Sequence, residues 1–377
     1  MNRVENYVYI FSLLLIPFAY SSVWGVRVLI FQFLLTSLVA TSSAFRRSSI
    51  HIDRSLLVVP WMLAFLLAFS TFTSDFSVLT AFCIFIVLAY WWVAFDVKAL
   101  EFILPKSLFA YVFGAFFCAG GVFLQFLANK FFDIKFARIE LFGGGRTAYS
   151  FLWQDFSFLS LYLVSAVPIV YDIFSSKWKS ILVLALVLSS IITSARTGIV
   201  ALIAFAVVFS FIYTGRCLVS MRANPKVIAL GAGIALLLLC TPFALTSFTG
   251  RELTVSSSGR MEGFYASFVF FLEHIYMGAM FNIDFFVDEV SVIPHNIFIY
   301  FLVMGGSLFF VVFFIWLALV ASCLFSFRSS VFAALCIVFV GFQFIPSFFS
   351  AYFVASLIGI GMAQAKIESI NSRFSAG

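Results

Sequence analysis

Long apolar runs with almost no charged residues follow one another along this 377-residue sequence, and they restrict its fold more than any other feature. An apolar helix of about 20 residues crosses the roughly 30 Å hydrocarbon core of a bilayer. Only 10% of the residues are charged and 64% are hydrophobic, whereas about 25% of the residues in a soluble domain are charged. The chain has too few polar side chains for a solvated surface, so we predict an all-α, polytopic integral membrane protein.

The apolar runs divide the chain into about twelve predicted transmembrane helices, all within a single membrane domain, 1–377. No cleavable signal-peptide pattern follows the first run, which we therefore interpret as the first span. Two longer segments, 129–150 and 248–304, connect spans 5 and 6 and spans 9 and 10. The predicted spans are 6–22, 27–45, 55–71, 77–95, 107–128, 151–171, 180–195, 198–213, 227–247, 305–326, 331–346 and 348–363.

The basic residues predict the orientation, because Lys and Arg concentrate in cytoplasmic connectors. With the N-terminus inside, 14 of the 22 Lys and Arg residues lie on the cytoplasmic side. An even number of spans brings the C-terminus back to the same side. We therefore predict an N-in/C-in bundle with the segments 129–150 and 248–304 on the outer, periplasmic face.

The remaining eight basic residues lie outside in this topology, against the insertion bias. An anionic ligand at the outer membrane face would account for them. The alternative is a set of solvated loop charges, partly balanced by acidic neighbours such as Asp133 and Glu140. The eight residues are Arg27, Lys130, Lys135, Arg138, Arg146, Arg196, Arg251 and Arg260.

Arg196 is the hardest of the eight to explain as a loop charge. It stands between two apolar runs, with almost no loop around it, in SSIITSARTGIVALIAF. An arginine in such a place costs about 3 kcal/mol unless it pairs or extends its head group to the membrane surface. Two explanations account for Arg196: an anionic ligand that pairs with it, or extension of its head group to the membrane surface, which is called snorkelling.

A helix from Arg260 to Met277 would carry one polar stripe. The stripe combines a cation, small residues and a histidine, which together suit a phosphate group. An interfacial helix lying on the lipid headgroups, with incidental polar residues, is the alternative. The stripe consists of Arg260, Gly263, Ser267 and His274, with Phe264, Phe268 and Phe271 beside it and Glu262 on another face.

The sequence Pro294-His295-Asn296 opens a further apolar helix that runs to the Gly305–Gly306 pair. Histidine titrates near neutral pH, so His295 at the mouth of a helix could act as a general base. A structural helix cap would produce the same Pro-His-Asn sequence, and both interpretations stand.

Cysteine and histidine usage gives no sign of a disulfide framework or a metal site. Five of the six cysteines lie inside predicted spans and Cys217 lies in a cytoplasmic connector. The three histidines have no metal-ligand spacing around them. We expect no metal, no cofactor and no nucleic-acid partner.

Three sets of motifs follow one another between residues 140 and 325. GGGRTAYSFLWQDFSFLSLYL carries an Arg before a middle span, and SARTGIVALIAF combines Ser, Arg and Gly at the start of a span. SGRMEGFYASFVFFLEHIYMGAMF followed by VIPHNIFIYFLVMGGSLFF contains an Arg, then His-Asn and a later Gly. In kind and in order these segments resemble those of the bacterial O-antigen polymerases and O-antigen ligases.

The resemblance implies a metal-independent glycosyltransferase of the bacterial inner membrane, with its active site facing the periplasm. The donor would be a polyprenyl-diphosphate-linked oligosaccharide, and a polymerase would use a second carrier-linked repeat unit as acceptor. A chain-length regulator protein would be a further partner. Polymerase is the favoured interpretation because no feature specifies a lipid A-core acceptor, which a ligase needs.

The resemblance also implies roles for individual residues. Arginines would stabilise the leaving diphosphate, because a guanidinium binds phosphate through two parallel hydrogen bonds. A base would take the proton of the acceptor hydroxyl. We assign catalysis to His295, Arg196 and Arg260, and substrate binding to Arg146, His274, Asn296, Asp155 and Glu262.

A flippase or other transporter of lipid-linked oligosaccharides is the alternative from another class. It would also have about twelve spans and a cationic cavity, with ionisable residues near the midplane and often broken helices. The predicted spans are nearly free of charge, which favours the enzyme.

Overall fold

The computed structural model describes residues 3–23, 26–45, 54–71, 77–142, 146–174, 176–219, 260–291, 293–325, 329–345 and 347–375. Most of these residues are helical. The helices are α1 (Arg3–Leu14), α2 (Val28–Phe45), α3 (Arg54–Thr71), α4 (Ser77–Tyr90), α5 (Val97–Phe132), α6 (Phe156–Ile173), α7 (Ser176–Ile192), α8 (Arg196–Val219), α9 (Arg260–Glu273), α10 (Ile283–Val290), α11 (Ile297–Phe325), α12 (Ser330–Gly341) and α13 (Tyr352–Ser375). Two antiparallel hairpins pair β1 (Ser22–Val23) with β2 (Val26–Arg27) and β3 (Arg138–Phe142) with β4 (Arg146–Phe151).

Six helices in the described part of the chain are long and apolar enough to cross a bilayer. This confirms the predicted class, a helical membrane-embedded protein. The six segments are Val28–Phe45, Ser77–Ala94, Val97–Phe132, Phe156–Ile173, Ile297–Phe325 and Tyr352–Asn371.

Eleven of the twelve predicted spans overlap a helix, and the twelfth, 227–247, lies outside the described residues. The largest boundary differences concern the end of α13, at Ser375 rather than 363, and the starts of two other helices. α5 begins at Val97 rather than 107, and α11 begins at Ile297 rather than 305. The apolar-run criterion places these helix starts too late, since both helices continue beyond the predicted apolar core.

The chain divides into two compact units. The first comprises 1–111, 256–332 and 342–377, and the second comprises 112–255 and 333–341. α5 and α12 contribute residues to both units.

Aromatic rings fill the core of the first unit. α4, α11 and the short 3-10 helix Phe348–Ser350 supply most of them. Within the cluster that these three elements form, Phe301 and Phe313 are the closest pair, with ring centroids 4.4 Å apart. Such pairs contribute about 0.5–1.5 kcal/mol each beyond the area they bury. The abundance of Phe is thus partly explained by packing. The clustered rings are Phe82, Phe85, Phe301, Phe309, Phe313, Trp316, Phe348 and Phe349.

In the second unit, α6 packs against α7 and α8, and small polar residues allow a close approach. The hydroxyls of Ser160 and Ser190 lie 2.7 Å apart across α6 and α7. A Cβ atom on Gly198 of α8 would overlap Ser160, so this contact requires glycine. Small residues and hydroxyl pairs of this kind are typical of helix contacts inside a membrane.

α11 is interrupted at Gly306, where φ is 69° and ψ is −178°. The prediction of a helix running from Asn296 to the glycine pair is therefore confirmed, and α11 consists of two helical halves. The break leaves backbone groups of α11 without helical partners. In a membrane such groups must be satisfied by other parts of the protein.

The segment 274–282 docks onto this break and supplies the missing hydrogen bonds. The N–H groups of Ala279 and Phe281 donate to the carbonyls of Val303 and Met304, at 2.8 and 2.9 Å. The N–H of Ser307 donates to the carbonyl of Ile275 at 2.8 Å. We call the segment 274–282, which is hydrogen-bonded to α11 in this way, the docked loop. It ties the segment after α9 to the middle of α11.

Replacing Gly306 by alanine should destabilise the protein, because its backbone conformation is almost exclusive to glycine and costs about 1–3 kcal/mol for other residues. A Cβ there would also overlap the carbonyl of Tyr276. We expect a lower midpoint when the fraction of monodisperse, detergent-purified protein is measured against temperature. Gly120→Ala is the matched control, since nothing lies within 4 Å of a Cβ at Gly120. Equal midpoints for the two variants would contradict the docked-loop interpretation.

Candidate functional site

The predicted site residues belong to both units. Arg260, Glu262, His274, His295 and Asn296 lie in the first unit. Arg146, Asp155 and Arg196 lie in the second. Each group is described by itself.

His274 follows the last residue of α9 and has a fixed ring. Its Nδ1 lies 3.2 Å from the carbonyl oxygen of Phe270, and its ring stacks on that of Phe270 with centroids 4.5 Å apart. Phe285 of α10 approaches edge-on at 5.6 Å. Because a carbonyl only accepts hydrogen bonds, Nδ1 must carry the proton, which leaves the Nε2 lone pair as a proton acceptor in the neutral ring. His274 is thus an oriented imidazole at the start of the docked loop.

Asn296 is the N-cap of α11. Its Oδ1 accepts hydrogen bonds from the N–H groups of Phe298 and Ile299 at 3.0 and 3.2 Å. Its Nδ2 donates to Oε1 of Gln343 at 2.9 Å. The cap interpretation therefore holds for Asn296, and its amide has little capacity left for a substrate.

His295 stands next to this cap and is exposed, whereas the preceding Pro294 is buried. The N–H of Ile297 donates to the carbonyl of Phe342 at 3.0 Å, which fixes the start of α11 from a second direction. The backbone that carries His295 is therefore held in place while its side chain remains accessible. This combination suits a base that meets a mobile substrate.

The predicted stripe of α9 faces the interior of its unit. Gly263 and Ser267 are buried, while Phe268 on the neighbouring face is 56% exposed. The hydroxyl of Ser267 has no hydrogen-bond partner among the described residues. The side chains of Arg260 and Glu262 lie outside the described set, so a phosphate site on this stripe stays a prediction.

In the second unit Asp155 is the N-cap of α6. Its Oδ1 accepts hydrogen bonds from the N–H groups of Ser157 and Phe158, at 2.6 and 3.3 Å. A carboxylate at a helix N-terminus is stabilised by the helix dipole, so the position has a structural explanation.

Arg146 begins β4 and pairs with Phe142 of β3. Gln125 of α5 holds this hairpin, accepting a hydrogen bond from the N–H of Phe151 at 2.9 Å and donating to the carbonyl of Phe136 at 2.8 Å. The backbone at Arg146 therefore belongs to an anchored hairpin. The sequence predicted 129–150 as an external segment and gave no sign of this hairpin.

Arg196 is the first residue of α8 and is half-buried, with fully buried neighbours on both sides. Ser194 before it has a positive φ of 63°, and the hydroxyl of Thr193 accepts a hydrogen bond from the N–H of Ala195 at 3.3 Å. The near-loopless turn predicted at Arg196 is confirmed. An arginine at a helix N-terminus opposes the helix dipole, so helix stability does not explain it.

A cavity of about 620 Å³ lies in the first unit, and the sequence analysis did not identify it. Its walls come from the β1–β2 hairpin, α2, α4, the start of α10, α11 and the segment 347–352. Arg27 is the only charged residue among the described residues that line it. Only one feature of the sequence pointed to this cavity: the predicted topology places Arg27 outside the membrane.

No group of three or more His, Cys, Asp and Glu side chains in the described ranges could hold a metal ion.

Comparison with protein-family models and with curated proteins finds no match to this chain.

Proposed function

We propose that this protein is a polymerase of bacterial surface polysaccharide that joins polyprenyl-diphosphate-linked repeat units at the periplasmic face of the inner membrane. The observation that carries the proposal is the ordered set of Arg, Ser-Arg-Gly, Arg and His-Asn motifs over 140–325. The fold is consistent with it, because the His-Asn motif begins an interrupted apolar helix and the Ser-Arg-Gly motif begins another helix.

The reaction needs two kinds of group. The acceptor hydroxyl oxygen attacks C1 of the donor sugar, the bond from C1 to the diphosphate oxygen breaks, and the electron pair leaves with the diphosphate. Cations must stabilise that charge. Arg146, Arg196 and Arg260 are the candidates, since a guanidinium stays charged near lipid and binds phosphate through its planar fork.

A base must accept the proton of the acceptor hydroxyl and later release it to solvent. His295 is a candidate because its side chain is exposed while its backbone is held in place. His274 supports it through an imidazole that is oriented with Nε2 as the acceptor. Asp155 is the weaker candidate, because both of its known hydrogen bonds serve the N-terminus of α6.

The topology belongs to the same proposal. About twelve spans with both termini inside would put the β3–β4 hairpin, the turn before Arg196 and the docked loop on the periplasmic side. The donor and acceptor lipids would then approach from the outer leaflet. A ligase acting on lipid A-core would use the same arrangement with a different acceptor.

Deletion of the gene tests the proposal through the surface polysaccharide, separated on a gel. We expect the ladder to collapse to a single repeat unit attached to the lipid anchor. Absence of any attached repeat, with full-length polymer still present on its polyprenyl carrier, would instead identify a ligase. An unchanged ladder would contradict both.

A transporter of lipid-linked oligosaccharides is the second candidate, and the break at Gly306 favours it. Discontinuous helices often form the substrate site of transporters. In this protein the docked loop already satisfies the backbone groups of Val303, Met304 and Ser307, which argues for a structural break. Loss of a transporter would remove both the attached repeat and the polymer on the carrier.

A further inference from the structure

The cavity beside Arg27 combines features of a site for an amphiphilic anion. Its volume of about 620 Å³ falls within the range of about 300–1,000 Å³ that is usual for sites of small organic ligands. Most of its wall is apolar, with Leu29 and Ile30 of α2, Ile84 of α4 and Phe301 of α11. The polar side chains of the wall, among them Arg27, Tyr300 and Tyr352, come from separate elements, as in sites that orient a ligand.

Arg27 supplies the charge and is held in position by its backbone. It pairs with Ser22 in the β1–β2 hairpin, and the next residue, Val28, donates its N–H to the carbonyl of Ser21 at 2.9 Å. Its side chain is exposed, and no carboxylate of the described residues forms an ion pair with it. The guanidinium therefore has its donors available for an anion.

Two tyrosines of the cavity wall provide the independent observation. Tyr300 and Tyr352 are only 8% and 7% exposed, yet the hydroxyl of neither has a hydrogen-bond partner among the described residues. Arg27 lies close enough to Tyr352 to interact with it electrostatically. Each hydroxyl therefore has hydrogen-bonding capacity left for a ligand in the cavity that both tyrosines and Arg27 line.

We propose that this cavity binds the phosphate headgroup of a lipid. The guanidinium and the tyrosine hydroxyls, all hydrogen-bond donors, match phosphate oxygens, which accept. The apolar remainder of the cavity holds the first part of the hydrocarbon chain. The phosphate comes from an isoprenoid carrier or from a glycerophospholipid, which share this chemistry. The site does not depend on the polymerase proposal, because it contains none of the residues assigned to catalysis.

Binding of lipids to the purified full-length protein in detergent tests the site by native mass spectrometry. The probes are polyprenyl phosphate, phosphatidylglycerol, the neutral polyprenol and inorganic phosphate. We expect at least one phosphate-bearing lipid to bind about tenfold more tightly than polyprenol, since a charged hydrogen-bond partner is lost in the alcohol. The lipid that binds more tightly identifies the source of the phosphate.

Arg27→Gln should weaken binding of that lipid about tenfold or more, and Tyr352→Phe and Tyr300→Phe should each weaken it about two- to fivefold. Arg54→Gln is the matched control, because Arg54 is also exposed in the first unit but does not line the cavity. It should leave binding unchanged.

Equal binding of polyprenol and polyprenyl phosphate, with no preference for phosphatidylglycerol, would overturn the proposal. So would binding of inorganic phosphate alone, or unchanged lipid binding by Arg27→Gln. If Arg27→Gln fails to fold, the tyrosine variants still test the site, because each of them removes one hydroxyl and keeps the aromatic ring. An unchanged polysaccharide ladder in the deletion strain would overturn the polymerase proposal, but it would not affect the proposal that this cavity binds a lipid phosphate.

Discussion

Replacing Arg196 by alanine should abolish detectable polymer, with a loss of about 10²–10³ in rate, the range found when one group that stabilises developing charge is removed. Membrane levels of the variant should stay normal. The measurement is the polysaccharide ladder of the complemented deletion strain, with the protein quantified in isolated membranes.

The physical reason lies at the start of α8. Arg196 opposes the helix dipole and its neighbours on both sides are buried, so the stability of α8 does not explain a cation at this position. A phosphate bound there would meet the guanidinium and the positive end of the helix together. Both interactions strengthen as charge moves onto the diphosphate, which is the condition for lowering the barrier.

Arg196→Lys should restore little activity, because an ammonium is a point charge and does not reproduce the planar fork. Lys130→Ala is the control. Lys130 is exposed in the last turn of α5, also outside the membrane in the predicted topology, and its loss should have only a mild effect. Arg260→Ala should behave like Arg196→Ala if the start of α9 holds the second phosphate contact.

Full activity of Arg196→Ala would show that its side chain only extends to the membrane surface. In that case the diphosphate site would have to rest on Arg146 and Arg260. Loss of protein from the membrane would show instead that Arg196 stabilises the fold, and Arg196→Lys would then recover the level.

Local sequence signals predicted the parts of the structure that depend on neighbouring residues. The cap at Asn296, one of the two interpretations that the sequence left open, and the end of a helix at the glycine pair both follow from residues adjacent in the chain. The turn at Arg196 follows from two apolar runs with no room between them. In each case the physical cause acts within a few residues, so one segment contains the whole signal.

Features that depend on distant contacts were not predictable in this way. The docked loop pairs Ala279 with Val303, and a single sequence has no signal that links them. The cavity beside Arg27 draws its walls from segments near 30, 80, 300 and 350, so its polar groups are scattered along the chain. The edge-on contact of Phe285 with the ring of His274 is likewise made by another helix, although Phe270 of the same helix orients that ring.

The proton acceptor can be identified by substituting glutamine for each histidine separately. Glutamine keeps a hydrogen-bonding side chain but does not take up the proton, so it separates a base from a residue that only orients its neighbours. We expect His295→Gln and His295→Ala to lose about two or more orders of magnitude in rate, the range for a positioned base. The assay uses purified protein with lipid-linked repeat units and no added metal.

The geometry of His274 gives a second expectation that distinguishes the two residues. His274→Gln would lose the stacking on Phe270 and the Nδ1 hydrogen bond, which position the start of the docked loop. If His295 is the base, we expect His274→Gln to lower the thermal midpoint and to reduce the rate by less than His295→Gln. Asp155→Asn keeps a capping oxygen but does not take up the proton, so if His295 is the base this variant should keep a rate close to that of the wild type.

The opposite result would reassign the base. Normal polymer from His295→Gln, together with a loss of about 10² or more in His274→Gln, would move the role to the oriented Nε2 of His274. Near-normal rates in both variants would leave Glu262 and Asp155 as the remaining candidates for the base. A chelator added to the wild-type reaction should change nothing, because the proposed chemistry relies on arginine rather than a metal to stabilise the diphosphate. Inhibition by the chelator would contradict that mechanism whichever histidine accepts the proton.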